Sequence, residues 1–406
     1  MPTVPTTKTT AIRYGRGRLF APVAVPPDRI YAPRSIATVN DTRAELDRAL
    51  AEPVDAPPLR DLAGKDDTVA LILDDPTRGM PKADMLRAVF DAMPDVPLEK
   101  LRVVVAYGKH EHKADWQLGL PPEWLGRVAV VHHDSRDPDQ HKPLTHPDDP
   151  SLSFLVNRAV AEADVVVGLD AVRPHYFAGF TGGAKSVLPG CGGIESIKAN
   201  HALRDHPRAR LGITNGNAAR ENQEALAGLL RKFVILNVVT DDAGRLAKAA
   251  YGHYINAHRA LVPLARELGQ VAASKADIVI AGASSPTAIN FYQITKAVAP
   301  AGKLLKDGGT LILCGPCDDG LSDVETANKV IYEHTLKRYL PKTHRCVLVS
   351  ALSPEETERS FFDPAPSMHS AVRDALQFYG PDATVAVLPN ASYMIPILEG
   401  EDPSDW

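Results

Sequence analysis

The sequence contains few of the residues that mark several large classes of protein. Aromatic residues make up 6% of the chain, and only four cysteines occur among 406 residues. The low number of cysteines argues against a disulfide scaffold. No apolar run reaches the length that spans a bilayer, and the N-terminal residues lack the apolar core of a signal peptide. The formal net charge of -5 gives no basic footprint for nucleic acid. We therefore expect a cytoplasmic protein that binds neither membranes nor nucleic acid.

The remaining composition is that of an ordinary globular protein, with 44% hydrophobic and 23% charged residues. A chain of 406 residues is long for a single core, which favours two domains. Runs rich in β-branched residues alternate with helical patterns, as is typical of parallel sheets covered by helices. The pattern restarts near residue 270. We predict two α/β domains with mostly parallel sheets, over residues 1–270 and 271–406.

The expected elements follow from these patterns. In the first domain, strands are predicted at 68–73, 101–107, 127–133, 164–169 and 233–239. Its helices include 82–92, 194–204 and 218–231. In the second domain, strands are predicted at 276–282, 309–315, 345–350 and 384–388, and a helix is predicted near 291–299. A further helix should begin at Ser322, because "SDVE" has the spacing of a capping box.

Polar clusters follow the predicted strands directly. "DDPTR" (74–78) follows one strand, "GKHEH" (108–112) follows the next, and His175 comes shortly after a third. "NFYQITK" (290–296) follows the first strand of the second domain. Ligands bind at the carboxyl ends of the strands in open parallel sheets. The sequence therefore predicts an active site in the cleft between the domains.

Two short motifs have simpler interpretations than their first appearance suggests. "GFTGGAKS" (179–186) is close to a phosphate-binding loop, but Ala184 stands where that pattern requires glycine before the lysine. "CGPC" (314–317) has the spacing of a redox pair, but an acidic turn follows it where a helix should lower a thiol pKa. We interpret the first as a tight turn and the second as a loop at a strand end.

A group of histidines leaves two interpretations open. His110, His112, His132 and His133 could bind a metal ion together. Their spacing differs from the helical HExxH pattern of zinc hydrolases, and isolated histidines are also ordinary surface or core residues. Spacing alone does not decide between a metal cluster and separate structural roles.

Five segments, taken in order, resemble the lactate racemase family of nickel-dependent 2-hydroxyacid racemases and epimerases. They are "DDPTR", "GKH", "PHYFAGFTGGAKSVLPG", "NH" and "YQITK". The central segment is the most specific, since His175 and Lys185 are ten residues apart and Lys185 and His201 are sixteen apart. The resemblance extends over most of the chain.

The resemblance implies a nickel pincer nucleotide, a pyridinium mononucleotide whose sulfur and carbon atoms bind nickel. Lys185 matches the lysine that attaches this cofactor through a thioamide bond, and His201 matches the protein ligand of the nickel, for which imidazole is well suited. The family also implies partner enzymes that build the cofactor. Further positions match residues that contact it, namely Asp75, Thr77, Arg78, Gln293 and Lys296.

The same resemblance implies the catalytic residues. His110 and His175 match the two catalytic histidines of the family. Racemisation through a ketone needs one base on each face of the substrate, and histidine can cycle its proton near neutral pH. The substrate is then a small 2-hydroxy acid. Arg78, Lys296 and Tyr292 match positions that hold it, and arginine suits a carboxylate.

The sequence departs from the family on the substrate side. Ala288 stands where family members often have an acidic residue, and the tryptophans at 116, 124 and 406 offer no counterpart of the C-terminal tryptophan of lactate racemases. A larger or more polar hydroxy acid is therefore an alternative to lactate. A non-catalytic, cofactor-handling homologue would not need two opposed histidines, and a nicotinamide-dependent dehydrogenase would need a GxGxxG turn, which is missing.

Overall fold

The computed structural model describes residues 9–76, 79–110, 118–285, 287–331 and 345–402. The chain divides into two compact units, which we call the central unit and the terminal unit. The central unit comprises Ser35–Arg173 and Phe177–Leu268. The terminal unit comprises Met1–Arg34, Pro174–Tyr176 and Gly269–Trp406. The first 34 residues, which the sequence analysis assigned to the domain 1–270, thus belong with the C-terminal part of the chain.

The strands in chain order are β1 (Thr9–Gly15), β2 (Gly17–Ala24), β3 (Val69–Asp74), β4 (Leu101–Ala106), β5 (Ala129–His132), β6 (His141–Thr145), β7 (Ser153–Asn157), β8 (Val165–Ala171), β9 (Pro174–His175), β10 (Gly179–Phe180), β11 (Phe233–Thr240), β12 (Leu246–His253), β13 (Gln270–Ala273), β14 (Ala276–Ser284), β15 (Leu305–Cys314), β16 (Arg345–Val349), β17 (Asp363–Pro364), β18 (Val385–Leu388) and β19 (Ile395–Leu398).

The α-helices of the described residues are α1 (Thr42–Ala51), α2 (Lys82–Asp91), α3 (Arg158–Ala161), α4 (Ile194–Ala202), α5 (Ala218–Ala227), α6 (Asn256–Gly269), α7 (Phe291–Ile294), α8 (Val298–Lys303), α9 (Val324–Ile331), α10 (Pro354–Glu358) and α11 (Met368–Tyr379). Three short 3-10 turns matter below: Gly183–Ser186, Thr295–Ala297 and Ala391–Tyr393. Among the described residues, no helix combines the length and the hydropathy that crossing a membrane requires.

The central unit is built on a six-stranded sheet in the order β12-β11-β8-β3-β4-β5. All neighbours pair in parallel except β11 and β12, which are antiparallel. Every residue of β8 and β11 is buried, as expected for strands covered by helices on both faces. Continuous β-branched runs are the sequence signature of such strands, and the predicted α/β class with mostly parallel sheets is confirmed.

The terminal unit is built on a seven-stranded sheet in the order β17-β16-β15-β14-β1-β2, with β18 also paired with β14. Its central strand β14 pairs in parallel with β15, with β18 and, through Ala283 and Ser284, with β1. The N-terminal hairpin of β1 and β2 therefore adds to a sheet whose other strands come from the C-terminal third of the chain. This pairing is why the N-terminal residues belong to the terminal unit.

Two helical predictions in the terminal unit need correction. The helix expected near 291–299 is interrupted between α7 and α8 by the 3-10 turn Thr295–Ala297, where Thr295 Oγ1 donates to the carbonyl of Tyr292 at 2.7 Å. A threonine hydroxyl bonded in this way competes with regular helix geometry. The helix expected from Ser322 begins at Val324, and its cap is Asp323, whose Oδ1 accepts the N–H of Thr326 at 3.1 Å.

Candidate functional site

The ends of β3 and β4 bring an aspartate and a histidine together. Asp74 and Ala106, the last residues of these parallel strands, pair in register, so the chain leaves the sheet at one edge. Asp75 Oδ2 lies 3.2 Å from His110 Nδ1, and the Asp75 side chain is only 3% exposed. An ionised carboxylate only accepts hydrogen bonds, so Nδ1 donates and Nε2 is the ring nitrogen left for proton transfer.

This contact bears on the predicted cofactor contacts of the "DDPTR" segment. Asp75 is predicted to contact the cofactor, and its carboxylate here orients His110. A cofactor contact by Asp75 stays a prediction. Thr77 and Arg78, predicted to contact the cofactor and the substrate, lie outside the described residues.

Buried side chains of the central unit shape the glycine-rich segment. Gly182 and Gly183 have φ of +78° and +63°, and the Gly183 N–H donates to Asn237 Oδ1 at 2.7 Å. A Cβ on Gly182 would lie 2.7 Å from the same oxygen, so only glycine fits there. The fully buried Arg220 donates to the carbonyl oxygens of Ala178, Phe180 and Gly182.

Lys185 lies in the 3-10 turn that continues this segment, Gly183–Ser186, and is half-buried. Its carbonyl accepts the N–H of Gly190 at 3.2 Å, and the Gly190 carbonyl accepts the N–H of Gly108 at 2.9 Å. Gly108 is the first residue of the "GKH" segment. Two motifs that are about 80 residues apart in the sequence are thus joined through their backbones.

His201 lies in the last turn of α4 beside these two motifs. Burial lowers its pKa well below the ordinary value, and the positive charges of Arg204, Lys185 and Lys109 lower it further. Its Nδ1 is enclosed and has no hydrogen-bond partner within the described part of the structure, and its ring packs edge-on against Phe177 at 5.1 Å between centroids. His201 is therefore a neutral imidazole close to Lys185, the form in which histidine binds metals.

The terminal unit holds the second predicted catalytic histidine. His175 lies on β9, is 9% exposed and packs against the neighbouring ring of Tyr176 at 5.0 Å between centroids. Strand β9 packs against the 3-10 turn Ala391–Tyr393. This turn follows β18 and also contacts the turn Thr295–Ala297, so it lies between the segments that carry His175 and Lys296.

The "YQITK" segment forms α7 and the turn after it. Asn290 caps α7 by accepting the N–H of Gln293 on its Oδ1 at 2.9 Å. Lys296 Nζ donates to Gln293 Oε1 at 2.5 Å, so these two predicted cofactor contacts share one helical face, as their three-residue spacing predicts. Tyr292, a predicted substrate contact, is half-buried on the same segment.

The predicted site residues thus fall into two groups, one in each unit. The central unit supplies Asp75, His110, Lys185 and His201, and the terminal unit supplies His175, Tyr292, Gln293 and Lys296. A cleft that joins the two groups stays a prediction.

The cysteines of "CGPC" do not have the properties of a redox pair. Cys314 and Cys317 are both buried. Burial raises the pKa of the Cys314 thiol, and burial with the nearby Asp318 carboxylate raises the pKa of Cys317 to about 12. A redox-active cysteine needs a lowered pKa. The interpretation as a loop at a strand end is therefore supported.

Two of the grouped histidines, His132 and His133, have separate hydrogen-bonding roles in the described part of the chain. Both ring nitrogens of His133 are bonded, to the carbonyl of Gly192 at 3.1 Å and to a side-chain amide at 3.3 Å. His132 Nδ1 lies 3.0 Å from the Tyr107 hydroxyl, and His112 lies outside the described residues. Across the described part of the chain, no three His, Cys, Asp or Glu side chains come together as a metal site would need.

Sequence reasoning did not identify several buried polar residues that support the site. Arg220 and His258 both hold carbonyls of the glycine-rich segment, and His258 Nε2 bonds Thr181 O at 2.9 Å. Asn200, beside His201, anchors α4 to α5 through Ala219 O at 2.9 Å. Polar residues on a helix resemble a solvated face in sequence, so only the "NH" motif gave any signal.

Comparisons with known proteins identify relatives of this chain. Residues 14–212 match the family model for the lactate racemase N-terminal domain. The lactate racemase of Thermoanaerobacterium thermosaccharolyticum is 27% identical over 95% of this chain and 98% of that protein. The lactate racemase of Lactiplantibacillus plantarum is 27% identical over 85% of this chain and 88% of that protein.

Solved structures give the same relationship. The lactate racemase apoprotein from T. thermosaccharolyticum superposes with a TM-score of 0.82 at 26% identity, covering 96% of this chain and all of that one. A Thermotoga maritima protein shares the fold, with a TM-score of 0.67 at 15% identity over 90% of this chain and all of that one. The predicted family resemblance and enzyme class, a racemase among the isomerases, are confirmed by the lactate racemases among these proteins.

Proposed function

Because the chain carries the N-terminal domain of the lactate racemase family and is related to lactate racemases over nearly its whole length, we propose that it interconverts the stereoisomers of a small 2-hydroxy acid. It does so with a nickel pincer nucleotide attached covalently through Lys185. The observation that carries the proposal is the proximity of Lys185 to a neutral, enclosed His201. One residue can tether the cofactor where the other can bind its metal.

The residues present fit such a cofactor. The described residues offer no complete set of protein ligands for a metal, so a metal held by His201 needs its remaining ligands from a bound organic group. Among the described residues, no group bonds the Nδ1 of His201 with ordinary geometry, and a buried nitrogen left without a hydrogen bond or a ligand is costly. Phe177 supplies an aromatic wall beside the ring.

Lys185 is placed to attach the cofactor. The fixed glycine turn before it and the carbonyl bond to Gly190 hold its backbone in place. Three basic residues, Lys109, Lys185 and Arg204, lie near His201, and positive charge there suits an anionic group such as a nucleotide phosphate. When bound there, the cofactor would supply a reversible hydride acceptor for the hydroxyl-bearing carbon of the substrate.

The two histidines move the hydroxyl proton. His110 donates from Nδ1 to Asp75, so its Nε2 takes the substrate proton while the carboxylate stabilises the imidazolium that forms. His175 performs the same step for the opposite stereoisomer. Each histidine acts as the base when one stereoisomer reacts, and as the acid that returns a proton to the oxygen when the other stereoisomer reacts.

Cationic and polar groups hold the substrate. Lys296 and Arg78 are the expected partners of its carboxylate, with Tyr292 beside Lys296. The Lys296–Gln293 bond fixes the direction of the ammonium group. Ala288 is fully buried in the core of the terminal unit, so no acidic side chain acts on the substrate from that position. We infer a substrate range that differs from that of family members with an acidic residue there.

The test is production of the protein together with the enzymes that mature the cofactor. Intact mass and metal analysis should give a covalent adduct with nickel, and Lys185→Ala should remove the adduct while the protein stays folded. Pure enantiomers of lactate, malate and sugar acids should then identify the substrate by loss of optical activity. An unmodified chain from a host that loads a known lactate racemase would refute the proposal and favour a cofactor-independent homologue.

A further inference from the structure

Helix α5 contacts both segments that carry the proposed cofactor residues. Its N-cap residue Asn217 donates its side-chain amide to the carbonyls of Phe177 at 2.8 Å and Ile213 at 2.9 Å. One turn later, Arg220 donates to the carbonyl of Gly182 at 2.9 Å and to two further carbonyls of the same segment. These bonds run from α5 to the glycine-rich segment that ends in Lys185.

The same helix holds α4 through a second set of buried bonds. Asn200 Nδ2 donates to Ala219 O and to Asn222 Oδ1, both at 2.9 Å. Gln223 Nε2 donates to Asn200 Oδ1 at 3.0 Å. Asn200 is 1% exposed and Gln223 is fully buried. Because His201 is the next residue, these bonds fix the part of α4 from which its imidazole projects.

A third contact supports the glycine-rich segment from the end of α5. Glu224 forms an ion pair with Arg259 at 2.8 Å, and Arg259 donates to His258 Nδ1 at 3.0 Å. The second nitrogen of His258 bonds the carbonyl of Thr181 at 2.9 Å. A carbonyl only accepts, so His258 Nε2 donates, and the chain of bonds has one direction from the segment to α5.

We propose that α5 sets the separation between Lys185 and His201, with Arg220 and Asn200 as positioning residues for cofactor attachment and for nickel binding respectively. The proposal rests on the proposed function. Arg220 and Gln223, three positions apart on α5, bond the glycine-rich segment and α4 respectively. Neither segment can therefore shift without breaking buried hydrogen bonds. Such bonds cost more to break than they contribute to stability, because each leaves a desolvated polar atom.

The experiment separates the two roles. The holoprotein is prepared as the parent and as Asn200→Ala, Gln223→Ala and Arg220→Met, each co-produced with the maturation enzymes. Intact mass gives the adduct fraction, and metal analysis gives nickel per adduct. Asn200→Ala should keep the adduct but lower nickel per adduct about tenfold or more, as loss of outer-shell support does at other metal sites. Arg220→Met should lower the adduct fraction itself.

Thr68→Val is the matched control. It removes a 2.9 Å hydrogen bond to Asp164 Oδ2. Both residues lie at the amino ends of β3 and β8, whereas Asp75 lies at the carboxyl end of β3. Adduct and nickel should match the parent in this variant. If every variant lost adduct and nickel together, each in proportion to its own loss of stability, the assignment would be overturned. Helix α5 would then have a purely structural role.

Two further measurements keep the proposal open to refutation. If Asn200→Ala does not fold, Gln223→Ala removes only one of the three bonds and should give a smaller loss of nickel in the same direction; unchanged nickel there contradicts the proposal. In the apoprotein, hydrogen exchange of residues 194–202 should speed up in Asn200→Ala and not in Thr68→Val. A parent protein without the adduct refutes the proposed function instead. A parent with adduct and nickel, whose variants all carry as much of both, refutes only the role of α5.

Discussion

At the scale of single residues, the site depends on the protonation states that burial and neighbours impose. His201 is kept neutral by burial and by adjacent positive charge. His110, in contrast, has the carboxylate of Asp75 as its partner, 3.2 Å from its Nδ1. The proposed metal ligand and the proposed acid–base group are thus the same kind of side chain in opposite surroundings.

The first prediction concerns Asp75. Asp75→Asn should lower kcat about 100-fold with little change in KM, because an amide neither balances the imidazolium charge nor fixes the Nδ1–H tautomer. Asp74→Asn is the control, since its Oδ1 accepts the Asp75 N–H at 2.9 Å and an asparagine oxygen can do the same. Steady-state kinetics of the loaded enzyme give both values. Similar losses in the two variants would assign Asp75 a structural role only.

The second prediction concerns the paired histidines. Either His110→Ala or His175→Ala should stop full interconversion, because each turnover uses both groups. In a single turnover followed by the absorbance of the loaded cofactor, one enantiomer should react about 10²–10⁴-fold faster than the other. The preferred enantiomer should be opposite in the two variants. The same preference in both would refute the assignment to opposite faces.

At the scale of elements, the buried parallel strands were predictable, whereas the connections between distant segments were not. Strands β3, β8 and β11 lie within two residues of their predicted bounds, because buried parallel strands are continuous apolar runs. The pairing of β1 with β14 joins residues about 270 positions apart, and nothing local in "AIRYG" encodes it. For the same reason, the N-terminal 34 residues were assigned to the wrong unit.

The site was predictable in part because its motifs are local and its support is not. The His175, Lys185 and His201 spacing is visible in the sequence, and the charge of Lys185 acts on the His201 ring and lowers its pKa. Arg220 could not be identified, since an arginine in "AARENQEALA" has the pattern of a solvated helix face. Only the fold shows that the carbonyls of a glycine turn point at it.

The third prediction concerns the glycine turn. Gly182→Ala should destabilise the central unit by about 2–4 kcal/mol and abolish cofactor attachment, because it combines backbone strain with a clash. Gly308→Ala is the control: it has a similar φ of +75°, but a Cβ there meets nothing within 4 Å. Urea unfolding should show a cost of only about 1 kcal/mol for Gly308→Ala. Equal unfolding costs for the two variants would contradict the proposed clash, since Asn237 would then be able to move away from the added methyl group.

At the scale of the whole molecule, buried neutral histidines make stability depend on pH. Burial, with the neighbouring His141, lowers the pKa of His133 to about 4, and burial lowers the pKa of His258 well below its ordinary value. In the unfolded chain each histidine titrates near about 6.5. The unfolded state therefore binds more protons than the folded state below that pH, and the free energy of unfolding falls as the pH falls.

The fourth prediction puts a size on this effect. Between pH 7.5 and 5.0, His133 alone should account for a loss of about 2 kcal/mol in unfolding free energy. His133→Gln should reduce the pH dependence of the apoprotein by that amount, whatever its stability at pH 7.5. The exposed His369 serves as the control, and His369→Gln should leave the pH dependence unchanged. Urea titrations followed by tryptophan fluorescence at both pH values decide; identical slopes for all three proteins would contradict the assignment.

The three residues Pro174–Tyr176 belong to the terminal unit although the chain on both sides belongs to the central one. During synthesis, His175 leaves the ribosome almost a hundred residues before Gly269, where the chain returns to the terminal unit. The residues against which it packs, Ala391–Tyr393, are made later still. The central unit can thus complete its sheet, with Lys185 and His201 in it, before the chain that packs against His175 has been made. The proposed attachment site at Lys185 would therefore form earlier in synthesis than the surroundings of the proposed catalytic His175.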